Sequence, residues 1–253
     1  MQILSKIKLV LKYCGQFDWC LLINDRVTIQ NRISPKSKGV TMLDKRDYTL
    51  IIDQSGSMWT KDKDENKIQN EQKLQSRWEL IKESTIAFAS KCEQLDPGGI
   101  TVYTFSDDSK RFPNVTADKV IEIFEDEEPF GNTNLAAVLQ DALDNYFQRK
   151  AKGETKPNGE IILVVTDGDA DDRKAVVKTI VEATNKMDID EELGISFIQI
   201  GNDKQATDFL KILDDELQGS GGAKFDIVDT LTVEEIKQKG LKMKDILERA
   251  ITD

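Results

Sequence analysis

Short apolar runs alternate with longer amphipathic stretches from residue 48 onward. Tyr48 to Ile52, Ile100 to Phe105, Ile161 to Thr166, Ile195 to Ile200 and Phe225 to Val228 have the length and composition of strands. The run Ile161-Ile162-Leu163-Val164-Val165 is apolar at successive positions, so it predicts a strand covered on both faces, as in a parallel sheet. Between these runs apolar residues return at helical spacing. Leu74, Trp78, Ile81, Ile86 and Ala89 mark one helix, and Ala117 to Phe124, Leu135 to Arg149, Arg173 to Met187 and Lys204 to Leu217 mark others, with a closing helix after Val228. Lys110 to Phe112 can return antiparallel across the turn at Ser106 to Ser109. The pattern predicts an α/β fold: a doubly wound, mostly parallel, Rossmann-like sheet of about six strands with one short antiparallel edge strand and helices on both faces.

Residues 1–40 read differently. They carry seven lysines and arginines against Asp18 and Asp25, a net +5, within a chain whose formal net charge is −11. Ile3, Leu4, Ile7, Val10 and Leu11 fall at helical spacing among lysines, the pattern of a basic amphipathic helix that can lie on a membrane surface. A packed or loosely ordered extension is the preferred reading. Lys12 and Asp18 interrupt the apolar stretch a signal peptide would need. Arg32 to Gly39, with Pro35, reads as a linker. The expected division is a basic extension and linker over 1–40 and one domain with its closing helix over 41–253.

Charge and composition narrow the function. The acidic balance repels a phosphate backbone, so no nucleic-acid partner is expected. Three cysteines cannot staple a small secreted module, which favours a reducing cytoplasm. The chain has no histidine, which excludes Ser-His-Asp and Cys-His catalysis, HExxH metalloprotease sites and histidine-containing zinc fingers. Any bound metal must be held mainly by oxygen.

Asp53-Gln54-Ser55-Gly56-Ser57 places oxygen side chains at alternate positions just past a buried strand, where open α/β sheets bind ligands. Gly131-Asn132-Thr133-Asn134-Leu135 and Thr166-Asp167-Gly168 are expected at the same edge. These three segments, in this order, resemble the metal-ion-dependent adhesion site of the von Willebrand factor A family, in its bacterial intracellular type. The resemblance implies that Asp53, Ser55, Ser57, Thr133 and Asp167 form a site for Mg²⁺, with Mn²⁺ or Ca²⁺ as alternatives. Ser55 and Ser57 would be direct ligands, Thr133 direct or through water, and the two aspartates would act through bound water. A protein partner would supply an Asp or Glu to complete the shell. That chemistry suits a hard cation, because Mg²⁺ takes six oxygens and keeps several waters.

Other readings of the same residues are weaker. Asp167, Asp169 and Asp171 mimic an EF-hand opening, but Asp172 stands where that loop needs Gly and Lys178 where it needs Glu. The extra carboxylates of Asp169, Asp171 and Asp172 are expected to cap the next helix. An Asp after a hydrophobic strand also presents the nucleophile of haloacid-dehalogenase-like phosphatases, yet Ser55 occupies the position of their second Asp. A P-loop sequence is absent. Trp59 and Phe130 flank two of the three segments; core packing is expected of both, with an apolar collar around the site as the alternative. The polar stretch Thr60 to Lys73 is long for a strand-to-helix connection and is expected to shape access. The resulting expectation is a non-catalytic, metal-dependent adaptor module of a bacterial cytoplasm. Its rivals are a metal-dependent phosphohydrolase using Asp53 and a scaffold with a vestigial site.

Overall fold

A computed structural model describes residues 42–62, 75–95, 98–168 and 170–252. The expected extension and linker over 1–40, Leu74, Asp169 and most of Thr60 to Lys73 lie outside the described residues. The strands are β1 (Asp47–Asp53), β2 (Ile100–Phe105), β3 (Ser109–Val115), β4 (Glu160–Thr166), β5 (Leu193–Gln199) and β6 (Val228–Thr232). The helices are α1 (Arg77–Leu95), α2 (Ala117–Asp126), α3 (Leu135–Lys152), α4 (Arg173–Thr184), α5 (Lys204–Asp215), α6 (Val233–Lys239) and α7 (Met243–Arg249). The sheet runs β3-β2-β1-β4-β5-β6, with only β3 antiparallel.

Side-chain alternation along the central strands builds the two layers. Leu50 and Ile52 of β1, with Ile161, Leu163 and Val165 of β4, pack into a core that includes Trp78, Ile81, Phe88, Val120, Phe124, Ile236 and Leu247. The intervening Ile51, Ile162 and Val164 pack on the other face with Leu139, Tyr146, Val176, Ile180, Phe209 and Leu213. So α1, α2, α6 and α7 cover one face, and α3, α4 and α5 cover the other. Successive residues of a strand point to opposite faces, which is why β1 and β4 are apolar without alternation.

Four elements differ from the sequence reading, each for a local reason. The first helix begins at Arg77, because Ser76 and Glu79 cap it reciprocally: Glu79 N–H donates to Ser76 Oγ at 3.2 Å and Ser76 N–H donates to Glu79 Oε2 at 2.8 Å. The last strand is Val228–Thr232 instead of Phe225 to Val228. It buries Asp229 completely, a residue that strand patterns disfavour, and Arg249 of α7 neutralises it through Nε at 3.0 Å and Nη2 at 2.5 Å. The single closing helix is two, because the chain turns at Gly240 with φ of 62°. The edge strand is also longer than Lys110 to Phe112, tolerating Pro113 because its outer side has no ladder to satisfy.

Candidate functional site

The strand order reverses direction between β1 and β4: from β1 the chain winds outward to β2 and β3, then returns to β4 and continues outward to β5 and β6. A crevice forms at the carboxyl ends of strands at such a point. Asp53 ends β1 and Thr166 ends β4. All three candidate segments meet there.

Asp53 is fully buried beneath the crevice. Its Oδ1 accepts the N–H of Ser55 at 2.8 Å and its Oδ2 accepts the hydroxyl of Thr166 at 2.6 Å. Burial first, and the charge of Asp167 second, push its carboxyl up to about 6, against the opposing hydrogen bonds. Thr166 serves both loops, since its Oγ1 also accepts the Gly168 N–H at 2.9 Å. Above Asp53 a 3-10 turn spans Gly56–Trp59 and is pinned by buried Met58. It brings Ser55 Oγ and Ser57 Oγ to 2.9 Å from each other.

The second segment is laced to the first by backbone. Phe130 N–H donates to Gln54 O at 2.9 Å and Gly56 N–H donates to Gly131 O at 3.1 Å. Gln54 reinforces this from below by donating to Glu127 Oε2 and Glu128 O, at 3.0 and 2.7 Å. Gly131 has φ of 75°, and a Cβ there would stand 2.2 Å from Asp107 Oδ2. Thr133, nearly buried, precedes the α3 cap, which is made by Asn134. The third segment holds Thr133 in turn: Thr133 N–H donates to Asp171 Oδ2 at 3.0 Å, and Asp171 N–H donates to Thr133 O at 3.2 Å. The expected capping role belongs to Asp172, which accepts the Ala175 N–H. Asp171 instead faces back to the threonine, a role that only the meeting of α3 and α4 reveals.

Ser55, Ser57, Thr133 and Asp167 line one open cavity of about 580 Å³, together with Arg77, Asp171 and Lys204. Asp167 is nearly buried; Oδ2 accepts from Arg77 Nη1 at 3.1 Å, while Oδ1 is buried with no hydrogen-bond partner. A buried carboxylate oxygen without a partner is costly unless something positive meets it. The donor set fits a hard cation. Two oxygens 2.9 Å apart match adjacent ligands of an octahedron with bonds of about 2.1 Å, which are roughly 3 Å apart. Among the described residues there is no cluster of three or more carboxylate, imidazole or thiolate ligands. The cavity wall combines the hydroxyl residues Ser55, Ser57 and Thr133 with the carboxylate residues Asp167, Asp171 and Asp203.

Trp59 and Phe130 correct the sequence reading. They are 49% and 57% exposed, and Trp59 is oriented by its indole N–H donating to Pro129 O at 3.0 Å. Helix α1 contributes Arg77, which the sequence reading passed over; the Ser-x-x-Glu signal at Ser76 and Glu79 would have placed it in the first turn of a helix facing the crevice.

The family model for the von Willebrand factor type A domain matches residues 48–169. The sheet has the α/β fold of that domain type and continues past the matched segment to β6. No curated protein matches the chain in sequence. Among solved structures, a D319A mutant of the PilB minor pilin from Streptococcus sanguinis is similar at a TM-score of 0.56 with 15% identity, over 86% of this chain and 63% of that one. The PilB minor pilin without that mutation gives 0.52 and 16%, over 81% and 61%. The chain thus spans less than two thirds of the length of these pilin structures. Manganese-loaded TRAP protein from Plasmodium vivax gives 0.48 and 13%, over 76% and 70%.

Proposed function

We propose that the cavity holds a divalent cation, Mg²⁺ foremost, and uses it to grip an acidic side chain of a protein partner. The observation that carries this reading is the pair of Ser55 and Ser57 hydroxyl oxygens, 2.9 Å apart, in a cavity that Asp167 also lines, with the buried Oδ1 of Asp167 lacking a partner. When bound, the ion supplies a positive charge with at least one exchangeable position for a carboxylate.

The chain's own residues divide the work. Ser55 and Ser57 offer neutral oxygens, so they hold a cation without cancelling its charge. Asp53 has both oxygens engaged by Ser55 N–H and Thr166 Oγ1, and it therefore positions the loop and supplies charge from below. Asp167 lines the cavity and supplies charge there, with Oδ2 held by Arg77. Thr133, fixed by Asp171, stands at the side from which α3 begins. Trp59 and Phe130 supply apolar contact beside the site, enough to orient a partner around its acidic residue.

The burial of Asp53 weighs against the phosphohydrolase alternative, since a nucleophilic carboxylate needs an oxygen open to substrate. We keep the cytoplasm as the setting on the cysteine content given above, and a bacterial adaptor as what the family resemblance implies. The test is affinity capture in Mg²⁺ with and without chelator, alongside calorimetric titration. Ser55→Ala combined with Ser57→Ala should abolish ion uptake and ion-dependent capture while circular dichroism stays unchanged. Capture that survives both chelator and the double substitution places partner binding elsewhere.

A further inference from the structure

Arg77 is the first residue of α1, and its N–H donates to Thr60 O at 3.0 Å. Its guanidinium makes a two-pronged pair with Asp62, Nε to Oδ2 and Nη2 to Oδ1, each at 2.8 Å. The third prong, Nη1, reaches Asp167 Oδ2 at 3.1 Å. Gly201, in the turn after β5 with φ of 81°, leaves room for the group: a Cβ there would stand 2.3 Å from Nη2 and 2.6 Å from Cζ. The side chain is 12% exposed. Helix α1, the segment at Thr60 to Asp62 and the Gly201 turn together fix the guanidinium in place. An arginine does not lose its charge in such a setting.

The consequence for Asp167 is an asymmetric carboxylate. Oδ2 belongs to the guanidinium, and Oδ1 is buried without a partner. The charge balance changes too. Asp53 and Asp167 are the two buried carboxylates at the site, and Arg77 is the cation paired with one of them; Asp171, Asp203 and Lys204 also line the cavity, and Arg77's other partner, Asp62, is 39% exposed and screened by water.

We propose that Arg77 is a resident counter-charge of the cation site: it fixes Asp167 by holding Oδ2 and, by staying in place beside an incoming divalent cation, weakens the site's hold on that cation. This rests on the reading of the cavity as a cation site. Two cations sharing one carboxylate repel each other, and a bound ion whose charge is less fully cancelled by the protein attracts an external carboxylate more strongly. Arg77 is thus a positioning and charge-setting residue that trades ion affinity for partner affinity.

The experiment is titration of Mn²⁺, followed by calorimetry and by the paramagnetic resonance of free Mn²⁺, into the chelator-treated full chain. Arg77→Met is expected to bind Mn²⁺ tighter than the wild type by roughly tenfold or more, because a nearby unit charge is removed from a poorly screened site. Arg77→Met with Asp62→Asn should behave alike, which separates the loss of the guanidinium from the release of Asp62. Arg77→Lys, which keeps the charge and loses the fork, should stay within about threefold of the wild type. Without ion, Arg77→Met should melt below the wild type and regain the difference on adding Mn²⁺. Arg77→Gln makes the same charge change should the methionine variant not fold. Affinity equal to or weaker than wild type in folded Arg77→Met and Arg77→Gln overturns the proposal. Absence of Mn²⁺ uptake by the wild type and every variant removes the cation site itself, whereas uptake by Arg77→Met alone would show the guanidinium occupying the ion's place instead of standing beside it and would overturn the proposal.

Discussion

The two ends of the sheet bury acidic groups in opposite ways. At the amino ends of the strands, fully buried Glu160 accepts from Thr49 Oγ1 at 2.5 Å and pairs with Arg149, which also pairs with Asp47 at 2.6 Å. Glu192 nearby accepts from Tyr146 at 3.0 Å and from Lys150 at 2.6 Å. At the carboxyl ends, Asp53 has only neutral donors, and Asp167 has one oxygen on Arg77 and one on nothing. The same fold thus carries a closed network at one end and an incomplete one at the other. A structural network satisfies its members, whereas a binding site leaves valence for its ligand.

The contrast can be broken most forcefully at the closed end. Arg149→Met strands Glu160 in the core and should destabilise the protein by about 3–5 kcal/mol in denaturant unfolding, regardless of added Mg²⁺. A loss under about 1 kcal/mol would mean that the network is loosely held.

At the open end the sign with pH is distinctive. A carboxyl raised to about 6 keeps its proton in the folded state where the unfolded chain has lost it, so the folded form is favoured at acidic pH. As pH rises from about 4 through 6, chelator-treated protein should therefore lose stability on account of Asp53, by up to about 3 kcal/mol. Burial pushes Glu160 in the same direction, so the informative quantity is the difference between wild type and Asp53→Asn, which should lose that slope. Parallel unfolding profiles for the two would show that Asp53 is not held in the way described.

Smaller effects sharpen the picture. Thr133→Ala should leave stability within about 1 kcal/mol and ion uptake intact while weakening partner capture, because Asp171 holds its backbone and not its hydroxyl. Loss of ion uptake equal to that of the double serine variant would place Thr133 among the obligatory ligands. Trp59→Ala and Phe130→Ala should shift stability by at most about 0.5 kcal/mol, since both rings are half in water, yet reduce capture. Unchanged capture in the paired substitution would leave the aromatics without a binding role.

The central strands could be read from sequence because doubly buried parallel strands are uninterrupted apolar runs, and Ile161 to Val165 leaves few other interpretations. The three oxygen-bearing segments could be read because each follows a strand or precedes a helix. Supporting contacts were hidden for a physical reason: they join residues whose proximity is made by the topology. Asp171 meets Thr133 across a gap of 38 positions, and Arg77 meets Asp167 across 90. Asp229 hid β6 because its compensating Arg249 arrives only when α7 docks. Trp59 and Phe130 broke the expectation of burial because their neighbours at the strand ends are polar loops that offer no cover.

The two backbone rungs joining Gln54 to Phe130 and Gly56 to Gly131 have a mechanical consequence. They weld segments more than seventy positions apart into one plate, seated on β1 and tied through Thr166 to β4. The positions of the cavity's oxygens are therefore inherited from the register of the two innermost strands, and errors do not accumulate along the loops. Opening the rim therefore requires breaking these two rungs together, and they tie its local stability to that of the strands beneath.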